Sequence, residues 1–562
     1  MNTNTNTNMS RKTDGDGTTD GTADRATART AMARTTATGS RIRPALRPLV
    51  LAAALAATAF TFTAPPTALA APAPGSDQVT LTIRHLDRAG AATSAYTTHV
   101  TGFSGPGAGV EERPHDDSGT VTLRLPKGRY LLDSTLGTED GASGTDWIVQ
   151  PRLDLDRDTT VTVDARTTAP VDVRPPEGGA RPRHTLSYVE VGHDGVTRSA
   201  NVISASGGLR VAHLGPAAEP GSVTASIDSY WSGAAADYGL GYRFTSDRAL
   251  TGLVRHPAAA DLATLKVRAA DRDGAGGTGV AAFLPAEGTS AGLTTPLART
   301  GTATFRVTPE RGRWALLYST PGAPGVMPNR YEAHVAARAG TTTTRTFDNA
   351  VLGPALDPLP GTGPAGVRDG DRLSLDLPLL ADGEGHAPSE PSFRSATTTL
   401  HRDGVLTGTH RGAPGRASFT LADADRARYR LTATALHGTG TRAGRVSASW
   451  TFDSAATTGP AALPLSVVRF TPGLALDGTA PAGTDLRVPV TVQGPAAGPG
   501  TRALRVTVST DGGATWTPAP VTGGAVTVRN PAPGGTVSFR AALTDTEGNT
   551  LDQTLGNAYR TR

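Results

Sequence analysis

Residues 504–516 read Leu-Arg-Val-Thr-Val-Ser-Thr-Asp-Gly-Gly-Ala-Thr-Trp. Leu504, Val506 and Val508 alternate with Arg505, Thr507 and Ser509. A period of two leaves one face of an extended segment apolar and the other wet. Asp511, Gly512 and Gly513 then break the strand, because Asp bonds its own backbone two residues on and Gly accepts the positive φ of a hairpin turn. Trp516 is expected back on the return strand as an inward-packed apolar plug. Short alternating runs between Gly, Pro and Asp turns recur along the chain, and helical periodicity is nearly absent. The pattern predicts an all-β protein of tandem antiparallel β-sandwich domains.

The segments follow in order. Residues 1–40 are polar and without periodicity, the composition of a disordered extension. Within 41–70, Arg41, Arg43 and Arg47 precede a 14-residue apolar run, 49–62, and then Ala68-Leu69-Ala70. That is the three-part layout of a secretory signal cleaved after Ala70. The run falls short of the roughly 20 residues that span a bilayer, although a membrane anchor is the alternative reading. Met9 or Met32 is an alternative start. Residues 77–167 form a first sandwich, in which Val79 to Ile83 and Thr120 to Leu125 alternate. Its Leu125-Pro-Lys-Gly-Arg-Tyr130 run resembles carboxypeptidase-regulatory, transthyretin-like modules. A Pro/Gly connector leads to 170–353, read as one large sandwich or two small ones. Residues 354–460 are read as a further β-sandwich and 463–562 as a C-terminal immunoglobulin-like one, so the tandem combines immunoglobulin/fibronectin-like and transthyretin-like sandwiches. Single helical turns are expected at 258–264 and 422–428. No hydrophobic tail or wall-sorting motif closes the chain, so the mature protein is expected to be released.

Charge and cysteine content narrow the function. The net charge is +4, and residues 1–70 carry all of it, with eight basic and four acidic side chains against 46 and 46 in the remainder. The basic balance is therefore no nucleic-acid footprint. There is no Cys, hence no disulfide, thiolate metal site or lipid-anchoring Cys.

Other residues stand out. Tyr230-Trp231 is the one adjacent aromatic pair in a Gly/Ser/Ala-rich setting and is a candidate ligand platform for sugar or peptide. Ser509, Asp511, Gly513, Thr515 and Trp516 fit the Asp-box pattern of sialidase-type propellers. One copy cannot build a propeller, so we read a self-capped hairpin. Asp154, Asp156 and Asp158, and likewise Asp271 and Asp273, space carboxylates as calcium loops do. Neither run reaches the distal Glu of an EF-hand, and Arg157 and Arg272 sit among the acids. Solvated turns are the simpler reading, and a structural Ca2+ ion is the alternative to no cofactor. His184, His193, His213 and His256 show no metal-ligand spacing.

Several runs resemble the region C-terminal to the protease domain in large secreted subtilisin-like serine peptidases of streptomycetes and other actinobacteria. The carriers are Asp146-Trp-Ile-Val-Gln-Pro151, Arg157-Asp-Thr-Thr-Val-Thr-Val-Asp164, Leu375-Asp-Leu-Pro-Leu-Leu380, Leu463-Pro-Leu-Ser-Val-Val-Arg-Phe470, Val488-Pro-Val-Thr-Val-Gln-Gly494, 511–516 and Gly548-Asn549. The resemblance implies secretion and an accessory role beside proteolysis. It does not imply proteolysis by this chain. Fragments of the subtilase motifs occur at Asp117, Ser290 and His437, but a subtilase needs the order Asp, His, Ser. No catalytic residue is expected. The expected function is that of a secreted, non-catalytic multidomain protein serving adhesion, substrate presentation or stabilisation. Its partner is an extracellular protein or a cell-wall polysaccharide, with no nucleic acid and no membrane after signal cleavage. Two alternatives remain: the tail of a split or truncated subtilisin-like endopeptidase, and a carbohydrate-binding protein using Tyr230 and Trp231.

Overall fold

The computed structural model describes residues 78–137, 144–205, 208–288, 291–321, 329–356, 359 and 363–562. The expected extension 1–40 and signal 41–70 lie outside them. The described chain is built of β-strands joined by turns, and its only helical pieces are 3-10 turns of three residues. One of these, Ala259–Asp261, falls within the helical turn expected at 258–264, and the Asp261 carboxylate accepts from the Ala258 N–H at 2.8 Å. Residues 422–426 form no turn of helix and run irregularly into strand Ala427–His437.

Among the described residues the strands form seven sheets, and two of these cross the segment seams read from the sequence. The first sheet has three strands, in the order Thr120–Pro126, Gln78–Leu86, Thr159–Asp164. The second has seven: Leu253–Arg255, Ala169–Val173, Leu209–His213, Thr145–Leu155, Gly128–Leu136, Tyr96–Ser104 and Glu111–Glu112. Residues 170–173, read as connector, are part of strand Ala169–Val173, and strands from both sides of the 167/170 boundary hydrogen-bond within one sheet. The local sequence explains why this sheet is a middle layer. Tyr130-Leu-Leu132 and Trp147-Ile-Val149 are unbroken apolar runs, which suit a strand covered on both faces. Tyr130, Leu132 and Ile148 face the first sheet, whereas Leu131, Trp147 and Val149 face the third.

The third sheet has the order Val196–Ser204, Arg181–His193, Val223–Ser232, Asp237–Ser246, Thr302–Val307, Ala263–Ala269, Thr342–Phe347. Its first four strands supply Val189, Val191, Ile227 and Leu240 to the core shared with the second sheet. Its last three pack Leu265, Phe305 and Phe347 against a fourth sheet, Leu293–Ala298, Thr278–Pro285, Arg313–Thr320, Asn329–Ala336. The region 170–353 is thus neither one sandwich nor two. Part of it completes the preceding unit, and the rest forms a sandwich that shares a sheet with it.

The C-terminal half repeats the device. A nine-stranded sheet runs Val405–Arg411, Ser395–Arg402, Ala427–His437, Gly444–Ser454, Thr550–Thr561, Thr536–Asp545, Thr501–Ser509, Thr517–Pro518, with Thr479–Ala480 beside Thr550–Thr561. The expected break at 460–463 bisects it. A four-stranded sheet (Arg416–Thr420, Arg372–Asp376, Gly366–Asp369, Ala461–Ala462) and a three-stranded one (Val467–Phe470, Asp485–Gln493, Ala525–Arg529) share with it one core running from Val351 to Tyr559. Trp450 and Phe539 point into that core. The opposite face of the nine-stranded sheet is polar. Thr397, Thr434, Ser447, Thr554, Arg540 and Thr507 form one cross-strand row over both halves.

Candidate functional site

The subtilase-like fragments do not meet. Asp117 is 99% exposed, and its carboxylate faces His115 at 3.4 Å. His437 ends strand Ala427–His437 on the C-terminal core, is 9% exposed, and its Nδ1 has no hydrogen-bond partner. Burial pushes the imidazole down to about 4, with Arg272 adding to the effect. Thr289 and Ser290 lie outside the described residues.

The expected platform at Tyr230 and Trp231 is overturned. Tyr230 is fully buried between His184, 4.7 Å away, and Phe283, 5.7 Å away, and its hydroxyl donates to the Ala291 carbonyl at 3.0 Å. Trp231 is half-buried against the neighbouring core and donates its Nε1–H to Ser229 Oγ at 2.9 Å. The reason is geometric. Adjacent residues on a strand point to opposite faces, and here both faces are covered. Two residues before Tyr230, Asp228 is fully buried with Arg311 Nε at 3.0 Å. Burial pushes the Asp228 carboxyl up to about 7 against the pull of Arg311. Glycine is needed opposite: a Cβ on Gly241 would lie 2.5 Å from both Asp228 Oδ1 and Arg311 Cγ.

The hairpin at 509–516 folds as a self-capped turn. Ser509 Oγ donates to Asp511 Oδ1 at 2.6 Å and accepts from the Gly513 N–H at 2.9 Å. The Asp511 carboxylate accepts the Thr515 N–H at 2.9 Å. These bonds hold the carboxyl below its usual range. Trp516, however, is not an inward plug. Its Nε1–H donates to the Gly513 carbonyl at 3.0 Å, the indole is half-exposed, and the Arg540 guanidinium sits 3.9 Å from the ring centroid. The core beneath is already filled by Val508 and Phe539, and Ala519 is the next inward residue.

Trp516 instead walls an open groove of about 390 Å³ on the polar face of the nine-stranded sheet. Arg394, Arg445 and Arg540 line it, with Ser538, Thr554 and Asn557. Its floor is low at Gly444, where a Cβ would come 2.5 Å from the His437 ring. Many arginines elsewhere are paired: Arg129 with Asp154 at 2.7 Å, Arg299 with Asp271 at 3.0 Å, Arg272 with Asp348 at 2.8 Å. Among the described residues, no carboxylate pairs with Arg394, Arg445 or Arg540. Sequence reasoning missed these three because they come from separate strands. The available signal was that Arg445 and Arg540 fall on the wet phase of their strands, beside Val446 and Phe539.

The groove adjoins the seam between the two halves, where a cavity of about 50 Å³ shares Arg445, Gly556 and Asn557 with it. The seam is densely bonded. The Asp271 N–H donates to the Leu476 carbonyl at 2.7 Å, Arg442 donates to the Arg272 carbonyl, and the Asp348 N–H donates to Asp382 Oδ2 at 3.1 Å. Asp348 also accepts from Tyr331 at 2.8 Å. Burial raises the Asp348 carboxyl, opposed by Arg272. Buried Arg469 reaches the Gly353 carbonyl at 2.9 Å, and burial pushes its guanidinium down to about 10. The carboxylates of the calcium-like runs are engaged: Asp154 by Arg129 and Arg152, Asp271 by Arg299, Asp273 by Arg272. Among the described residues, no three His, Asp or Glu side chains gather as a metal site would require, and no helix is long and apolar enough to cross a membrane.

No family profile matches the chain, and none of the curated proteins does. Among solved structures it is similar to the Bacillus anthracis TIE protein at 9% identity and a TM-score of 0.13, covering 48% of this chain and 50% of that one. It is also similar to a streptococcal ancillary pilin (8%, TM-score 0.11) and to a substituted form of BcpA, the major pilin subunit of Bacillus cereus (10%, TM-score 0.11). Each of those two matches covers 48% of this chain and 99% of the other. The chain thus spans half the length of the TIE protein. Scores this low carry no argument about what this chain does.

Proposed function

We propose that this chain is an exported, non-catalytic multidomain β-sandwich protein that binds an extracellular surface and holds it for neighbouring activities. The observation that carries the reading is the polar face of the nine-stranded sheet. It spans two sandwich units, and its groove presents three arginines and a half-exposed indole. Two further points favour it. Asp117 is exposed in the turn before strand Thr120–Pro126, whereas His437 is buried at the end of Ala427–His437 and forms no ion pair among the described residues. The densely bonded seam suits a rigid spacer better than a hinged enzyme. The place beside extracellular proteolysis rests on the resemblance of residues 146–151, 157–164, 375–380, 463–470, 488–494, 511–516 and 548–549 alone. The reading requires no cofactor. Two measurements test it. A fluorophosphonate probe should leave the purified protein unlabelled. Pull-down on cell wall, chitin, cellulose and denatured protein should retain it on at least one surface. Labelling, or retention on none, overturns the proposal.

A further inference from the structure

We infer that the groove beside Trp516 is a binding site for an acidic polysaccharide, a sugar polymer carrying carboxylates along its length. The inference rests on the surface-binding reading above and names the chemistry of the surface. Charge comes first. Arg394, Arg445 and Arg540 line one groove with no carboxylate paired to any of them among the described residues, and no acidic side chain lines it. Guanidinium forks engage carboxylates in bidentate pairs, and do so best when no internal anion competes.

Spacing comes next. Arg445 lies on strand Gly444–Ser454, Arg540 on Thr536–Asp545, and Arg394 directly precedes Ser395–Arg402. In the sheet order these are alternate strands, so neighbouring arginines stand about 10 Å apart across the sheet and the groove extends about 20 Å. That suits repeating charges on an extended chain rather than one small anion. Of the remaining lining, Thr554 supplies a hydroxyl and Asn557 a side-chain carbonyl, its amide N–H being spent on the Ala443 carbonyl at 2.8 Å, and the indole wall is fixed by its bond to Gly513. Polyhydroxylated rings use both kinds of group.

The strands under the groove also argue against an acidic peptide. Gly444–Ser454, Thr550–Thr561 and Thr536–Asp545 are interior strands paired on both sides. Their backbone N–H and C=O groups are consumed, so a peptide could not add as a further strand. Nucleic acid would want several aromatic faces for base stacking, and the groove has one indole with Arg540 already over its ring.

The test uses the full chain and polygalacturonate as probe, with dextran as the neutral control and poly-glutamate and double-stranded DNA as competing polyanions. Saturable polygalacturonate binding is expected, weakening as salt screens the charges, with no dextran binding. The triple variant Arg394→Gln/Arg445→Gln/Arg540→Gln should lose at least tenfold in affinity while keeping its unfolding midpoint. Trp516→Ala, which leaves the charges in place, should lose a smaller factor. Equal binding by the triple variant, equal binding to dextran, or tighter binding of poly-glutamate or DNA overturns the inference. If wall or cellulose retains the protein while polygalacturonate does not, the groove assignment falls and surface binding stands. Failure on every surface removes both.

Discussion

Two aromatic sites in this molecule exchange the roles their sequences suggest. Tyr230 and Trp231 lie among Gly, Ser and Ala, a setting that reads as an open platform. Trp516 follows an alternating strand and a tight turn, a setting that reads as core. In the structure Tyr230 is fully buried and Trp516 stands half-exposed beside three arginines. Availability is set by what covers the face of the strand, which neighbouring residues in sequence do not report. The strand carrying Tyr230 has a core on either side. The strand before Trp516 belongs to a sheet whose polar face is uncovered at that end.

The contrast can be broken most severely at Tyr230. Tyr230→Ala should destabilise the fold by about 3–5 kcal/mol, the cost of deleting a buried aromatic, while leaving polygalacturonate affinity unchanged. Chemical denaturation and binding measured on one preparation would show whether the two effects separate.

Acidity sharpens the comparison, because the two regions respond to it with opposite sign. Asp228, near Tyr230, has its carboxyl pushed up to about 7. A group raised in the folded state contributes stability that is fully present below its unfolded value near 4 and is lost as pH rises through 7. His437, near the groove, is pushed down to about 4. Its contribution is present above the unfolded value near 6.5 and is lost as pH falls toward 4. The first slope amounts to about 4 kcal/mol over its window and the second to about 3 kcal/mol. Asp228→Asn should flatten the first and His437→Phe the second in denaturant midpoints followed from pH 4 to 8. His85, also held near 4, adds to the second slope and keeps it from vanishing altogether.

The smallest effects on stability fall at the indoles. Trp231→Ala should cost about 1–2 kcal/mol and leave retention on any surface unchanged. Trp516→Ala should cost about 1 kcal/mol or less yet weaken polygalacturonate binding. A Trp231 variant that loses binding while Trp516→Ala keeps it would reverse the comparison.

Much of the architecture was legible because its signals are local. Alternation at 79–83, 120–125 and 504–508 placed strands correctly, and Ser509, Asp511 and Gly513 form the turn their chemistry demands. The seams were not legible. Whether strand Gly444–Ser454 pairs onward with Thr550–Thr561 depends on two edges about a hundred residues apart finding each other. One hint was present: Tyr130-Leu-Leu132 and Trp147-Ile-Val149 lack the polar alternation of a half-covered sheet, so something had to cover both faces. The groove was hidden for a related reason. Arg394, Arg445 and Arg540 acquire meaning only when five strands assemble into one sheet and bring them to its same face.

Sheets that continue through the junctions also constrain how such a protein can be remodelled. Excising residues 354–460 would strip the nine-stranded sheet of four strands and leave the flank of Thr550–Thr561 raw, an open template for aggregation. Recombination could not treat these units as interchangeable beads. A duplication or swap that survives would have to carry both C-terminal units together, so lineages of this chain should vary in surface loops long before they vary in unit number.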